Sequence, residues 1–184
     1  MPEFHLDPTL YPGRPADADG RLPAETASYD LLDRLGVPYR RLDHDETPSI
    51  EACAEVEALL GTEICKNLFL CNRQKTAFYL LMMPGRKPFR TKDLSAQIGS
   101  ARLSFADADA MRELLGLTPG SVSVLGLLHD TGSRVQLLID RDLLGEEAIG
   151  CHPCINTSSL RIATRDLLDT VLPALHHTPV FVTL

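Results

Sequence analysis

Two apolar runs, residues 64–71 (ICKNLFLC) and 77–83 (AFYLLMM), limit what this chain can fold into more than any other feature. The polar pentapeptide NRQKT between them makes a hairpin connection, so the runs read as neighbouring strands. Strands that are apolar on both faces belong inside a sheet covered on two sides, so this hairpin needs one layer above it and another below. A chain of 184 residues can supply both. One domain of this size buries roughly 70% of its unfolded surface without a disulfide or metal staple.

The flanking segments provide the cover. Residues 1–24 hold Pro2, Pro8, Pro12, Pro15 and Pro23 with Gly13 and Gly20, and read as an extended arm, either disordered or laid along the surface. From Glu25, the residues Ala27, Leu31 and Leu35 recur at helical spacing with Leu32 beside them, until Gly36 and Pro38 stop the helix. A short strand over 39–42 follows. Thr47 and Pro48 read as N-cap and first-turn proline of a second helix, with Ala52, Val56, Leu59 and Leu60 as its stripe and Gly61 as its end. Beyond the hairpin, the pattern predicts helices over 91–98 and 107–115 and strands over 122–128, 134–140 and 160–163. It then predicts a terminal helix capped by Thr164 and a last strand over 179–184. Strict βαβ alternation is missing. The expected class is therefore α+β, a mixed, largely antiparallel curved sheet flanked by helices, with the arm at 1–24 and one domain at 25–184.

Net charge is −7, which spread evenly would discourage a nucleic-acid partner. It is not spread evenly. Residues 62–102 carry eight basic side chains against Glu63 and Asp93, a balance of +6, while 1–61 and 103–184 carry −8 and −5. A local field of this kind governs encounter with an anion, although the same charges would also serve as a solvated face. The longest apolar run has seven residues, against about 20 for a membrane helix. With four acidic residues in the first twenty and no apolar h-region there, a cytoplasmic protein without signal peptide or membrane segment is expected.

Five cysteines are an odd number, which argues against a closed disulfide framework and for reduced thiols. Cys151-His152-Pro153-Cys154 has the spacing of a redox pair, but such a pair opens a long helix after a strand, and this one precedes a short strand. Zinc would draw on Cys65, Cys71, His176 or His177, yet only one local ligand pair exists. Neither a metal nor a cofactor is expected. Lys66 is the more informative residue. On a strand it shares a face with Ile64, Leu68 and Leu70, where an ammonium must pair, reach water or meet an anionic ligand. Asn67 points to the other face.

In order, the chain carries CKNLFL, a hairpin, GSARLSFAD, LLGLTPGSVSVLGLLHDT, a strand ending at Asp140, GCHPCINTSS and LHHTPVFVTL. This set resembles the YbaK/prolyl-tRNA-synthetase-associated domain family, in particular its free-standing prolyl-tRNA deacylase (ProXp-ala or PrdX-like) branch, over residues 26–184. The resemblance implies a hydrolase that cleaves the ester between a wrong amino acid and the terminal adenosine of tRNA, typically alanine on proline tRNA. The need is physical: a pocket built for proline excludes a smaller side chain by only about 1–3 kcal/mol, and a second sieve supplies the rest.

The resemblance also implies roles. Lys66 matches the lysine on which family activity depends and would anchor the adenosine phosphate or acyl carbonyl and stabilise charge. Asn67 is its partner in the KN motif. Gly150, His152, Pro153 and Asn156 match the GxHPxxN stretch, whose backbone N–H groups would face the oxyanion while His152 orients or polarises. Asp130, with Thr131 beside it, would hold the substrate amino group. Arg86, Lys87, Arg90, Lys92 and Arg102 would meet acceptor-stem phosphates. The implied partners are the acylated tRNA end and prolyl-tRNA synthetase. Two alternatives stand beside this reading: a deacylase for another group such as cysteinyl, or a tRNA- or partner-binding module without turnover. Cys151 and Cys154 around the His-Pro pair, His129 before the Asp-Thr turn, and the arm depart from the family pattern.

Overall fold

A computed structural model describes residues 4–17, 19–47 and 50–184, Ile50 for its backbone only. In chain order the elements are β1 (Tyr11–Pro12), α1 (Pro23–Leu35), β2 (Tyr39–Asp43), α2 (Ile50–Leu60), β3 (Lys66–Asn72), β4 (Phe78–Met83), α3 (Thr91–Ile98) and β5 (Leu103–Phe105). They continue with α4 (Ala108–Leu115), β6 (Val135–Asp140), β7 (Ala148–Cys151), β8 (Ser158–Ala163), α5 (Thr164–Asp166), α6 (Leu172–Ala174) and β9 (Val180–Val182). The strands form two sheets, one in the order β1-β2-β8-β7 and the other β5-β3-β4-β6-β9. The first is antiparallel; in the second, β6 runs parallel to both β4 and β9. The class is α+β.

The central hairpin is β3 with β4, in register from Lys66 opposite Met83 to Cys71 opposite Phe78. Both of its faces are covered. Phe69, Leu80 and Met82 join Tyr29, Leu137, Ile149 and Leu160 in the main core between the sheets and α1. Leu70, Leu81 and Met83 pack on the opposite face with Leu94 of α3, Leu103 and Val182. A third cluster, Leu42, Val56, Leu60 and Ile64, seats α2 on the first sheet. Leu59, counted in the α2 stripe from its spacing, is exposed at 40%. Pro48, expected at the first turn of α2, lies outside the described residues.

The described part of the arm lies on the first sheet. β1 pairs with β2, Leu6 bridges His44, and Arg21 reaches both buried Glu25 and Asp43. Arg41, buried in β2, pairs with Asp43 and lies over the Tyr11 ring.

Three sequence expectations need correction. Residues 122–128 are not a strand: Val124–His129 forms a 3-10 helix, started by the Ser123 hydroxyl accepting from Leu125 N at 3.2 Å. An apolar run alone does not separate these conformations. Residues 148–151, where the pattern predicts no strand, form β7 against β8. The terminal helix has Ala163 before its first turn and Thr164 inside it, with no side-chain cap, and it passes through a π-helical stretch at Leu167–Val171 before α6.

Candidate active site

Lys66 opens β3 and is half-buried. Its Nζ donates to the Lys87 carbonyl at 2.8 Å. An ammonium has three N–H donors, and the other two have no partner among the described residues. The accepting carbonyl sits in the turn between β4 and α3. Arg86 N donates to Glu63 Oε1 at 2.6 Å, and a Cβ on Gly85 would collide with the Ile64 carbonyl, so this turn lies tight against the segment that leads into Lys66. Lys87 Nζ is 2.8 Å from Oδ2 of Asp140, a fully buried residue, and 2.6 Å from Asp142 Oδ2. Burial works against that ammonium, but the two carboxylates hold its pKa above the ordinary lysine value. The structure thus places Lys87, expected to meet phosphates, against Asp140 and Asp142.

The two sheets meet next to Lys66. Gly150 N donates to Glu63 O at 3.0 Å, and Cys65 N donates to Gly150 O at 2.8 Å. A Cβ at Gly150 would stand 2.8 Å from Glu63 O and 2.9 Å from the Ile64 Cα, so only glycine allows this approach. Both backbone groups of Gly150 are thus used within the fold, and its N–H is not the free oxyanion donor expected from the motif. Lys66 follows Cys65 by one residue at this crossing, and His152 follows Gly150 by two.

His152 Nδ1 is 2.9 Å from the Ser158 carbonyl. A carbonyl only accepts, so Nδ1 donates and the neutral ring keeps a lone pair on Nε2. Burial pushes the His152 pKa down, so the neutral form prevails near pH 7. His44, whose pKa burial also lowers, lies 6.4 Å away between ring centroids and contacts Ser159 Oγ at 2.9 Å. Ser123 donates to the His152 carbonyl at 2.5 Å and fixes the loop from the other side. Pro153 is buried. Asn156 donates to Glu46 Oε1 at 2.6 Å, and with Cys154 and Ile155 it lines a cleft of about 440 Å³ whose far wall is arm residues Asp19 to Leu22. Asn67 donates to Cys65 O at 3.2 Å while its Oδ1, buried, has no partner among the described residues. Burial raises the Cys154 thiol to about 11 and the Cys151 thiol further, opposite to what a redox pair needs.

Asp130 does not join this site. Its Oδ1 accepts from Arg134 N at 3.0 Å, and its Oδ2 from Val135 N at 2.8 Å with His177 Nε2 3.0 Å away. Val135 stands opposite Phe78, whereas Lys66 stands opposite Met83. The two residues therefore occupy opposite ends of the second sheet, about 17 Å apart along the strands. The expected grip of Asp130 on a substrate amino group is corrected: this carboxylate anchors a turn, and exposed Thr131 goes with it. Of the remaining basic residues, Arg86 pairs with Glu57 and Arg90 with Asp93, both exposed, while Lys92 and Arg102 are exposed without a partner among the described residues.

The aminoacyl-tRNA editing domain family matches residues 44–170, a span that takes in Lys66, the strand crossing and the His-Pro loop. The chain belongs to this family. The editing domain is 32% identical, over 78% of its length and 88% of the relative's, to the prolyl-tRNA editing protein ProX of Acetoanaerobium sticklandii. It is 31% identical, over 82% of each chain, to prolyl-tRNA synthetase associated domain-containing protein 1 of Danio rerio. Its fold is shared with a solved structure described as a candidate trans-editing enzyme for prolyl tRNA synthetase, with a TM-score of 0.63 and 19% identity over 89% of this chain and 98% of that one. By family, the editing domain is an aminoacyl-tRNA deacylase, an ester hydrolase. Among its described residues no helix is long and apolar enough to cross a membrane.

Sequence reasoning about the editing domain missed Ser123, His44, Ser159 and Asp140. Ser123 had a weak signal in the TPGSVS turn. The others act across 115, 115 and 53 positions, on Ser159, His44 and Lys87 respectively, and no local pattern announces such pairs.

Proposed function

We propose that this editing domain works in trans, hydrolysing the aminoacyl ester of mischarged tRNA, with alanyl-tRNA(Pro) as its substrate. The observation that carries the reading is the Lys66 ammonium, held by one carbonyl with two N–H donors left over, beside the crossing that leads to the His-Pro loop. An aminoacyl ester is already activated, so the catalyst needs positioning and charge stabilisation more than a strong nucleophile. Lys66 supplies positive charge to the developing oxyanion or the adenosine phosphate. The Nε2 lone pair of His152 orients the attacking hydroxyl or water. Asn67 and the loop residues Pro153 and Asn156 shape the acyl side. Arg86, Arg90, Lys92 and Arg102 draw the acceptor stem in; Arg90 exchanges a weak exposed pair for a phosphate, and exposed Arg86 turns from Glu57. Residues 25–184 are the catalytic unit, and the arm is its added edge strand. The cytoplasm, where tRNA and prolyl-tRNA synthetase meet, is its place of work.

The names of the relatives support proline-tRNA chemistry, and the double-sieve argument supports alanine as the acyl group. Purified protein incubated with Ala-tRNA(Pro), Cys-tRNA(Pro) and Pro-tRNA(Pro) tests the proposal. Fastest release of alanine is expected, with a rate at subsaturating tRNA that falls steeply as salt rises. Fastest release of cysteine would replace the substrate, and equal persistence of all three esters with and without protein would remove the activity.

A further inference from the structure

The turn that receives the Lys66 ammonium is built more firmly than a surface connection requires. It is fastened at three places: Arg86 N to Glu63 Oε1, Gly85 against the Ile64 carbonyl, and the Lys87 side chain to Asp140 and Asp142. Asp140 is the last residue of β6, is fully buried, and its Oδ1 also accepts from Asp142 N at 3.1 Å. A buried carboxylate at a strand end is a fixed point, because moving it would separate it from the cation that compensates its charge.

We propose that Lys87 is a positioning residue for Lys66: through its side chain, the Asp140 carboxylate fixes the Lys87 carbonyl that holds the Lys66 ammonium. The chain of contacts is continuous: an ion pair of 2.8 Å from Asp140 Oδ2 to Lys87 Nζ that lacks hydrogen-bond geometry, then one residue, then the hydrogen bond of Lys66 Nζ to Lys87 O at 2.8 Å. One lysine thus holds another without repulsion, because the first meets the second through its carbonyl while its own charge is neutralised on the far side. A free lysine side chain samples many rotamers, so fixing its head group removes an entropy cost from the transition state. The consequence for the reaction rests on the role proposed above for Lys66; the hold itself does not.

Three variants test this: Lys87→Met, which keeps the stem and removes the charge; Lys87→Arg, which keeps the charge; and Gly85→Ala, which displaces the turn without altering charge. Lys87→Met and Gly85→Ala should lower kcat on Ala-tRNA(Pro) about tenfold with KM and its salt dependence unchanged, while Lys87→Arg stays within about threefold of the parent. A Lys87→Met enzyme whose kcat is intact but whose KM rises, with a shallower salt slope, would overturn the proposal in favour of a phosphate contact. Independently of turnover, 15N-detected NMR should show a restricted Lys66 ammonium in the parent and a mobile one in Lys87→Met and Gly85→Ala. An equally mobile ammonium in all would also overturn it. A restricted ammonium released by both variants in a protein inactive on every ester would uphold the hold and fault the function instead. Should Lys87→Met fail to fold, Gly85→Ala carries both readouts.

Discussion

The second sheet has two polar ends, and each looked functional from its motif. At one end Asp130 is buried with both oxygens occupied, by the N–H groups of exposed Arg134 and buried Val135 and by buried His177. At the other, Lys66 is half-buried and meets a single acceptor. The residues differ in what remains to be satisfied. A group whose hydrogen-bonding capacity is filled by its own fold holds that fold together and has nothing to offer a substrate. A charged group left with unmet donors beside the crossing of two sheets has capacity to give. Motif membership does not distinguish these cases, whereas the partner count does.

The comparison breaks most visibly at Asp130. Asp130→Ala leaves two backbone N–H groups without their acceptor and removes the contact to a buried imidazole, a loss of about 2–5 kcal/mol in unfolding free energy. Chemical denaturation should show that loss, while kcat measured well below the melting transition stays within about twofold. A collapse of kcat with stability intact would move Asp130 into the active site. Lys66→Ala sharpens the contrast from the other end. It should cost about 10²–10³ in kcat, comparable to removing one oxyanion donor, yet only about 0.5–1.5 kcal/mol of stability for its one hydrogen bond. A severe melting defect with residual turnover would make Lys66 a structural residue.

What was legible in the sequence follows from the range over which each feature is encoded. The hairpin was readable because its strands and turn are contiguous, and the demand for cover on both faces is met by Leu80 and Met82 on one side and Leu81 and Met83 on the other. β7 was not, since Gly150 and Pro153 are local turn signals and the strand exists only through pairing with β8 and the crossing at Glu63. The 3-10 helix after Ser123 was misread because its apolar residues fit a buried strand equally well. At the site, Lys66 stood out as an ammonium among apolar neighbours. The destination of Lys87 did not, because Asp140 lies more than fifty positions away and a basic run looks alike whether its charges face phosphates or carboxylates.

The two ends should also separate on acidification, with the smallest effect of the set. At the Lys66 end, burial lowers the pKa of His44 and of His152 below the ordinary 6.5, so the folded protein binds these two protons less readily than the unfolded chain. Stability contributed by the neutral rings is fully present above about pH 6.5 and is lost as pH falls from there through the lowered folded values. Each ring contributes at most about 1.4 kcal/mol per pH unit within that window. Thermal melting from pH 7.5 down to 5 should therefore decline below 6.5, before the carboxylate Asp43, whose pKa its hydrogen bond with Arg41 holds down against burial, begins to protonate. Replacing His44 and His152 by Gln should flatten the decline between pH 6.5 and 5 and leave the acid limb below pH 4 in place. A decline of unchanged slope in the double variant would show that these rings are not the titrating groups.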